Sequence, residues 1–321
     1  MLPDFEEYIT YLADIRRYSL RTCDIYRDVL AGYSAFAGDA DEPLSVSMVR
    51  SYEVHLMEEL HEGARTVNLH LSVLSGFCKY LMKKGLLSSN PVRMVSRPRQ
   101  EKRLPVFYRE DAMDGYMSGT AHSAGEDELL LITDPSDKVS REVYERRLRR
   151  LIVSLLYNTG MRRSELISLN VSSVDFERRV LRVHGKGDKM REIPVLPSVC
   201  DEISLYLHAV SSLMDDAYAP GAPLLRTIGG ARLYPVYVDR AVKRELGDAE
   251  GITGRKSPHV LRHTLATELL GDGTDLNSIK ELLGHSSLAA TQVYTHNSIE
   301  RLQSVYNNAH PRAKNGGKNG D

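Results

Sequence analysis

The sequence predicts a mainly α-helical protein with a small antiparallel sheet, divided into two domains. A basic stretch with three prolines, residues 91–106, separates a helical first part from a mixed second part. Residues 174–195 alternate polar and apolar positions around two turns, which indicates short antiparallel strands. In the first part, apolar residues recur at alternating spacings of four and three, the pattern of one buried helix face: Val67, Leu71, Leu74, Cys78 and Leu81.

Composition sets the class of protein. The 321 residues suffice for two domains, and 42% of them are apolar, so a buried core is expected. A net charge of −1 excludes a uniformly basic chain, although a basic face alone is enough to bind nucleic acid. The three cysteines show no paired spacing, which favours a reducing compartment. There is no apolar signal core and the best apolar run, 151–157, is short, so we expect a soluble cytoplasmic protein with no membrane partner.

Cap residues set the helices of the first part. Ser19 is predicted to cap a helix reaching about residue 36, and Ser45 or Ser47 one that ends near residue 63. The helix with the apolar stripe is expected to stop at Gly85. These signals predict a bundle of about four helices over residues 1–90. The prolines that follow predict an extended linker, which is either simply solvated or lies along phosphates.

The second part is predicted to mix helices and strands. A helix ends at Gly160, and residues 124–137, which hold five acids and no base, are expected to form a surface loop or a partly ordered insertion. Strands are predicted near 174–176, 180–183 and 192–195. Helices are predicted at Ser198, after Leu233, after Pro258, after Asp275, after Ser286 and around 298–307.

The stretch "SPHVLRHTLATELL" begins with a helix-start signal and places His259 and Arg262 on one helical face. His263 lies four residues after His259, which also allows a zinc site. The metalloprotease form of that motif needs a glutamate where this chain has Val260, so we expect no metal.

Two further clusters carry isolated polar side chains. In "TGMRRSEL" the Gly160 turn delivers Arg162 at a helix start with Glu165 one turn later, which alone is also the pattern of a surface ion pair. In "GKGDK" Lys186 lies between two glycines on a turn between strands. The segment lacks the phosphate-loop pattern, and an ordinary exposed lysine is the alternative.

The chemically capable residues form a set that suits phosphodiester transfer: Arg162, Lys186, His259, Arg262, His285 and Tyr294. Two guanidiniums can grip the oxygens of a crowded, charged phosphorus in bidentate fashion. Histidines move protons near neutral pH, a hairpin lysine can protonate a leaving alkoxide, and a tyrosine can attack. With this much fixed positive charge, neither a metal nor another cofactor is required.

Five motifs in order, "TGMRRSEL", "GKGDK", "HVLRHTLAT", "LLGHSSLAATQVYTH" and "AHPRAK", resemble those of tyrosine recombinases, nearest to the Xer group. The resemblance implies that Arg162 and Arg262 clamp the scissile phosphate and that Lys186 protonates the leaving 5′-oxygen. It implies that His259 handles the tyrosine proton, that His285 binds phosphate oxygens and that Tyr294 forms a 3′-phosphotyrosyl link. Glu165 matches a supporting acidic position.

The resemblance also implies an architecture and partners. A SAM-like helical domain (1–90), a basic linker (91–106) and a catalytic domain (107–309, with the acidic insertion 124–137) would form a C-shaped clamp on duplex DNA, followed by a flexible tail (310–321). The candidate DNA contacts are Arg97, Arg99, Lys102, Arg103, Arg163 and Lys189.

The function implied is chromosome-dimer resolution at dif-like sites with inverted-repeat cores. The enzyme would act as a tetramer on two sites, with itself or a related recombinase, and a DNA translocase would be its activator. The alternatives are an integrase or transposase of a mobile element, a non-catalytic DNA-binding protein and a metal-dependent nuclease.

Overall fold

The computed structural model describes residues 2–99, 106–185 and 190–284. The chain divides into two compact units, Met1–Arg103 and Leu104–Asp321, each with its own hydrophobic core. Helices dominate both units, and the described strands form one antiparallel sheet, which confirms the predicted fold class. Among these residues, no helix is both long and apolar enough to cross a membrane.

The helices of the first unit are α1 (Glu6–Asp14), α2 (Leu20–Ala37), α3 (Val46–Val54, continued by a π-helical turn over His55–Glu59) and α4 (Ala64–Lys83). Those of the second are α5 (Glu110–Gly119), α6 (Lys138–Thr159), α7 (Arg163–Ser168), α8 (Pro197–Ser211), α9 (Pro235–Glu245), α10 (Pro258–Gly271) and α11 (Leu276–Leu283). The strands are β1 (Val174–Asp175), β2 (Val180–His184) and β3 (Met190–Pro194).

The caps of the first unit follow the sequence. The Ser19 hydroxyl accepts a hydrogen bond from the Thr22 amide, and the Ser45 hydroxyl accepts one from the Met48 amide, each at 3.2 Å. Ser45 rather than Ser47 is therefore the cap of α3. The predicted stripe of α4 is buried throughout, with exposures of 0–2%.

The start of the predicted linker belongs to the first unit. Residues Pro91–Met94 form a 3-10 turn rather than part of an extended linker. The Asn90 side chain accepts from the Val92 amide at 3.1 Å and donates to the Ser75 carbonyl at 3.1 Å. Val92 and Val95 are buried in the core of the unit. Apolar burial and one asparagine cap thus outweigh the extended preference that the prolines suggested.

Helix α6 is the centre of the second unit and packs against α8, α9 and α10. It ends at Gly160, as predicted, in the left-handed conformation with φ +59°. A Cβ on Gly160 would lie 2.5 Å from Leu283 Cδ2 and 3.0 Å from Leu265 Cδ2. A side chain at this position would be strained at this φ and would displace Leu283, so glycine suits the close approach of α6 to α10 and α11.

Two elements differ from expectation. Helix α5 was not predicted, because its sequence "EDAMDGYMSG" has two glycines and low helix propensity. Burial of Ala112, Met113, Tyr116 and Met117 stabilises it instead. The acidic stretch forms a 3-10 turn (Leu129–Leu131), buries Ile132 and supplies Asp137, whose carboxylate caps α6 at Ser140 N across 2.8 Å.

The sheet has the order β1-β2-β3 with antiparallel pairing. Strand β3 begins at Met190, two residues before the predicted 192, and places Arg191 opposite Val183 of β2. Both of these residues are buried, so Arg191 faces the core of the unit. This register decides the arrangement of the site described next.

Candidate active site

Arg162 sits at the N-cap of α7, immediately after the Gly160 turn. The Glu165 carboxylate accepts from the Arg162 backbone amide at 2.7 Å and from Arg162 Nη1 at 2.8 Å. One carboxylate therefore caps the helix and orients the guanidinium of its own cap residue. The Arg162 side chain is 33% exposed and is therefore partly accessible to solvent.

Arg191 approaches the same carboxylate from β3. Its Nη1 and Nη2 bind Glu165 Oε1 and Oε2 at 2.8 and 2.9 Å, a bidentate pair between two buried side chains. Its Nε donates to the Leu282 carbonyl at 3.3 Å. Glu165 thus holds two arginines at once.

The charge on Glu165 is stabilised by these contacts. Burial alone would raise its pKa, but hydrogen bonds from Arg191 and from the Arg162 amide and side chain outweigh burial and lower the pKa to about 2. Glu165 is consequently ionised throughout the neutral range.

Arg262 enters from α10. Its Nη1 donates to the Gly160 carbonyl at 2.5 Å and its Nη2 to the Leu283 carbonyl at 2.7 Å. Burial, and secondly repulsion from Arg162, lowers the pKa of this guanidinium to about 10. It stays charged at neutral pH.

Three successive carbonyls at the end of α11 each bind a different arginine. Arg191 binds the carbonyl of Leu282, Arg262 that of Leu283, and Arg162 that of Gly284 at 2.7 Å. The C-terminus of a helix carries partial negative charge, which favours cations there. We call Arg162, Arg191, Arg262 and Glu165 the arginine cluster. Its three cations and one anion leave two net positive charges.

The backbone of Gly284 lies close to the Arg191 guanidinium. Its φ is +65°, and a Cβ there would lie 3.0 Å from Cζ and Nη1 of Arg191. A larger residue would therefore be strained and would press on the cluster.

The predicted site residues divide into three groups. Arg162, Glu165 and Arg262 are brought together in the arginine cluster. His259 is exposed on the first turn of α10, three residues before Arg262. Lys186, His285 and Tyr294 lie outside the described residues, as do Lys102, Arg103 and Lys189.

The remaining DNA-contact candidates have partners or are exposed. Arg163 pairs with Asp239 of α9. Arg97, in the first unit, donates to Ser72 Oγ at 2.9 Å and is exposed, and Arg99 is exposed as well. Across the described ranges, no group of three or more His, Cys, Asp and Glu side chains is arranged to hold a metal ion.

Sequence reasoning missed Arg191. Its signal was the strand alternation: with Ile193 buried, residue 191 falls on the same inward face. Starting the strand at 192 removed that residue from consideration. A charged residue at an inward strand position would have pointed to a buried counter-charge.

The arrangement is suited to binding an oxyanion. The three guanidiniums are held in place, and the cluster carries two net positive charges. Such a cluster can bind a tetrahedral anion and stabilise the extra negative charge that develops on it during displacement. Because Glu165 and main-chain carbonyls orient the donors beforehand, little reorganisation is needed.

Comparisons with known proteins agree with this chemistry. Residues 113–301 match the family model described as "Phage integrase family", and residues 5–85 match "Phage integrase, N-terminal SAM-like domain". Proteins named tyrosine recombinase XerC are similar: that of Bacillus pumilus is 35% identical over 95% of both chains. That of Alcanivorax borkumensis is 34% identical over 98% of this chain and 95% of its own.

Solved structures share the fold. The XerH site-specific recombinase bound to a palindromic difH substrate has a TM-score of 0.65 at 17% identity, covering 97% of this chain and 82% of its own. The Tn1549 transposon integrase with circular intermediate DNA has a TM-score of 0.63 at 18% identity, covering 92% and 96%. On the family match and the XerC-named relatives, this chain belongs to the phage integrase family of tyrosine recombinases, enzymes that cleave DNA and exchange its strands.

Proposed function

We propose that this Xer-type site-specific recombinase acts in the cytoplasm on dif-like chromosomal sites and resolves chromosome dimers. The observation that carries the catalytic part is the binding of Arg262 and Arg162 to the consecutive carbonyls of Leu283 and Gly284. Two of the proposed phosphate ligands thus bind the carbonyls of the two residues that precede His285 in the sequence. The XerC-named relatives support the cellular role.

In the proposed reaction the Tyr294 oxygen attacks the scissile phosphorus and the bond to the 5′-oxygen breaks. His259 accepts the tyrosine proton, and Lys186 gives a proton to the departing 5′-oxygen. Arg162, Arg262 and His285 hold the non-bridging oxygens, on which negative charge grows. A 5′-hydroxyl of the partner strand then attacks the 3′-phosphotyrosyl link, so one phosphodiester replaces another without an external energy source.

The proposed partners follow from the same role. The substrate is duplex DNA with an inverted-repeat core, bound by a tetramer of this chain alone or with a related recombinase, and a DNA translocase activates the complex. The structural neighbours XerH and Tn1549 integrase were both solved as complexes with DNA, which supports DNA as the ligand here. Arg97, Arg99, Lys102, Arg103, Arg163 and Lys189 are the proposed backbone contacts.

A nicked suicide substrate carrying a dif-like site tests the proposal. The unmodified chain is expected to form a covalent protein–DNA adduct that resists denaturation and survives chelator. Tyr294→Phe is expected to bind the DNA without forming the adduct. Tyr218→Phe, at a tyrosine that is 59% exposed, is the matched control and should cleave normally.

Other outcomes would separate the alternatives. Binding without any adduct from the unmodified chain would indicate a non-catalytic DNA-binding protein. Loss of cleavage on chelation would indicate a metal-dependent nuclease. An adduct on mobile-element ends but none on dif-like sites would keep the chemistry and overturn the chromosomal role.

A further inference from the structure

Arg191 is a buried cation whose hydrogen bonds to described residues lead to Glu165 and to the end of α11. Its side chain is 6% exposed, and that of its partner Glu165 is 3% exposed. Taking both charges out of water is costly, and an apolar pair of similar volume often stabilises a fold as well or better. A role in placing other groups therefore accounts for this pair better than stability does.

The first path runs through Glu165 to Arg162. Glu165 Oε1 accepts from Arg191 Nη1 and from Arg162 Nη1, both at 2.8 Å. The carboxylate plane is fixed by the fork of Arg191 on both oxygens, and that plane sets where Arg162 Nη1 lies. Without Arg191, Glu165 could rotate and move the Arg162 guanidinium with it.

The second path runs through the main chain of α11. Arg191 Nε binds the Leu282 carbonyl, one residue before the carbonyl that binds Arg262 and two before the one that binds Arg162. Arg191 thus holds the helix end that positions both proposed phosphate ligands. In the sequence it also follows Lys186 by five residues, at the second position of β3.

Charge gives a third effect. The arginine cluster has two net positive charges, and a neutral residue at 191 would leave one. Glu165 would then neutralise Arg162 more completely, which would weaken attraction to a phosphate that gains negative charge during displacement.

We propose that Arg191 is a positioning residue for strand cleavage, acting through Glu165 on Arg162 and through the Leu282 carbonyl on the end of α11. This inference rests on the proposed cleavage reaction. Arg191 does not touch DNA; it sets the geometry and charge of the groups that do.

The test is single-turnover cleavage of the suicide substrate at saturating DNA with Arg191→Met and Arg191→Lys. Arg191→Met is expected to slow the cleavage rate by about 100-fold, as small displacements of catalytic groups do, with a less than threefold change in DNA affinity. Arg191→Lys keeps the positive charge but cannot bind both Glu165 oxygens in bidentate fashion. Its cleavage rate is expected to lie between that of Arg191→Met and that of the unmodified chain.

The control is Arg150→Met, at a residue equally buried and paired with Glu202 outside the cluster. It should lower the melting temperature without changing the cleavage rate. A purely structural role of Arg191 would act in the same way, reducing the amplitude of cleavage through loss of folded protein and leaving the rate constant of the folded fraction unchanged.

A double-mutant cycle tests the path through Glu165. If Arg191 acts through Glu165, the variant with both Arg191→Met and Glu165→Gln should cleave no more slowly than the slower single variant. The inference would be overturned if both Arg191 variants cleaved at rates within threefold of the unmodified chain. It would also be overturned if the rate reductions of Arg191→Met and Glu165→Gln multiplied in the double variant. No adduct from the unmodified chain would instead overturn the proposed function, so the two failures are distinguishable.

Discussion

Arg162 Nη2 donates to the Gly284 carbonyl at 2.7 Å and so joins the start of α7 to the end of α11. The two residues are 122 apart in sequence. Gly284 has φ +65°, and a Cβ there would lie 3.0 Å from the Arg191 guanidinium, closer than ordinary van der Waals contact. The backbone at this one residue therefore controls two arginines of the cluster.

Gly284→Ala is expected to destabilise the fold by about 1–2 kcal/mol through left-handed strain and to slow single-turnover cleavage by at least roughly tenfold through displacement of the cluster. The melting temperature and the cleavage rate at saturating DNA measure the two effects. The control is Gly273→Ala: Gly273 has φ +83°, and a Cβ there would meet no described atom within 4 Å. It should share the loss of stability and keep the rate; equal rates for both variants would contradict the prediction.

Glu165→Gln is expected to lower the free energy of unfolding at pH 7 by about 3 kcal/mol, because Arg191 loses its buried counter-charge. The folded pKa of Glu165 is about 2, below its ordinary value, so its stabilisation is present above about pH 4.5 and is lost as pH falls towards 2. Denaturant unfolding at pH 7, 4 and 3 should therefore show that the difference in unfolding free energy between the variant and the unmodified chain becomes smaller as the pH falls.

The control for that series is Glu192→Gln, which breaks partly exposed pairs with Arg178 and Arg182. It should cost less than about 1 kcal/mol at every pH. If Glu165→Gln lowers the free energy of unfolding at pH 7 by as little as the control does, the ion pair between Glu165 and Arg191 is not buried as described.

Glu268→Gln is expected to stabilise the protein at alkaline pH. Burial, and secondly the neighbouring carboxylates including Glu110, raises the pKa of Glu268 to about 7, against the hydrogen bond from the Tyr157 hydroxyl at 3.1 Å. A raised carboxyl pKa means that the folded state takes up a proton between about pH 4.5 and 7, so stability falls as pH rises through that window.

The glutamine variant should therefore exceed the unmodified chain by roughly 1–3 kcal/mol at pH 8 and match it at pH 4.5. Denaturant unfolding at the two pH values checks this, with Glu177→Gln, at an exposed carboxylate, as control. If the two proteins differ in unfolding free energy by the same amount at both pH values, the stabilisation does not come from removing the titration of Glu268.

Arg97→Ala is expected to weaken DNA binding to a similar degree for all sequences and to reduce the slope of log affinity against log salt by about 1, as loss of one phosphate contact does. Binding titrations between 50 and 200 mM salt, roughly the range in which such slopes are resolved, measure it. Arg27→Ala is the control in the same unit, because Arg27 is already paired with Glu6 and Asp24. An unchanged slope for Arg97→Ala would remove this residue from the proposed interface.

The sequence predicted those elements whose signals are local. Ser19, Ser45, the stripe of α4 and the Gly160 stop all depend on neighbouring residues, and all lie as expected. Helix α5 was missed because tertiary burial, which no short window contains, stabilises it. The turn at 91–94 was missed because Val92 and Val95 find their core far away in sequence.

The sequence predicted several residues of the site, but it did not predict which groups these residues bind. The motifs singled out Arg162, Arg262 and Glu165, and the structure brings these three together. Arg191 and the carbonyls of α11 were not foreseen, because main-chain acceptors leave no trace in a motif. Which arginine meets which carbonyl depends on packing between α6, α10 and α11.

The three arginines that bind successive carbonyls at the end of α11 also limit where the chain can be altered. Inserting one residue between Lys280 and Leu282 would rotate every following carbonyl by about 100° around the helix axis and detach all three side chains together. Lengthening the α10–α11 connection at Gly273 would leave that spacing intact. A tag or reporter domain should therefore be placed in the connection and kept out of the helix.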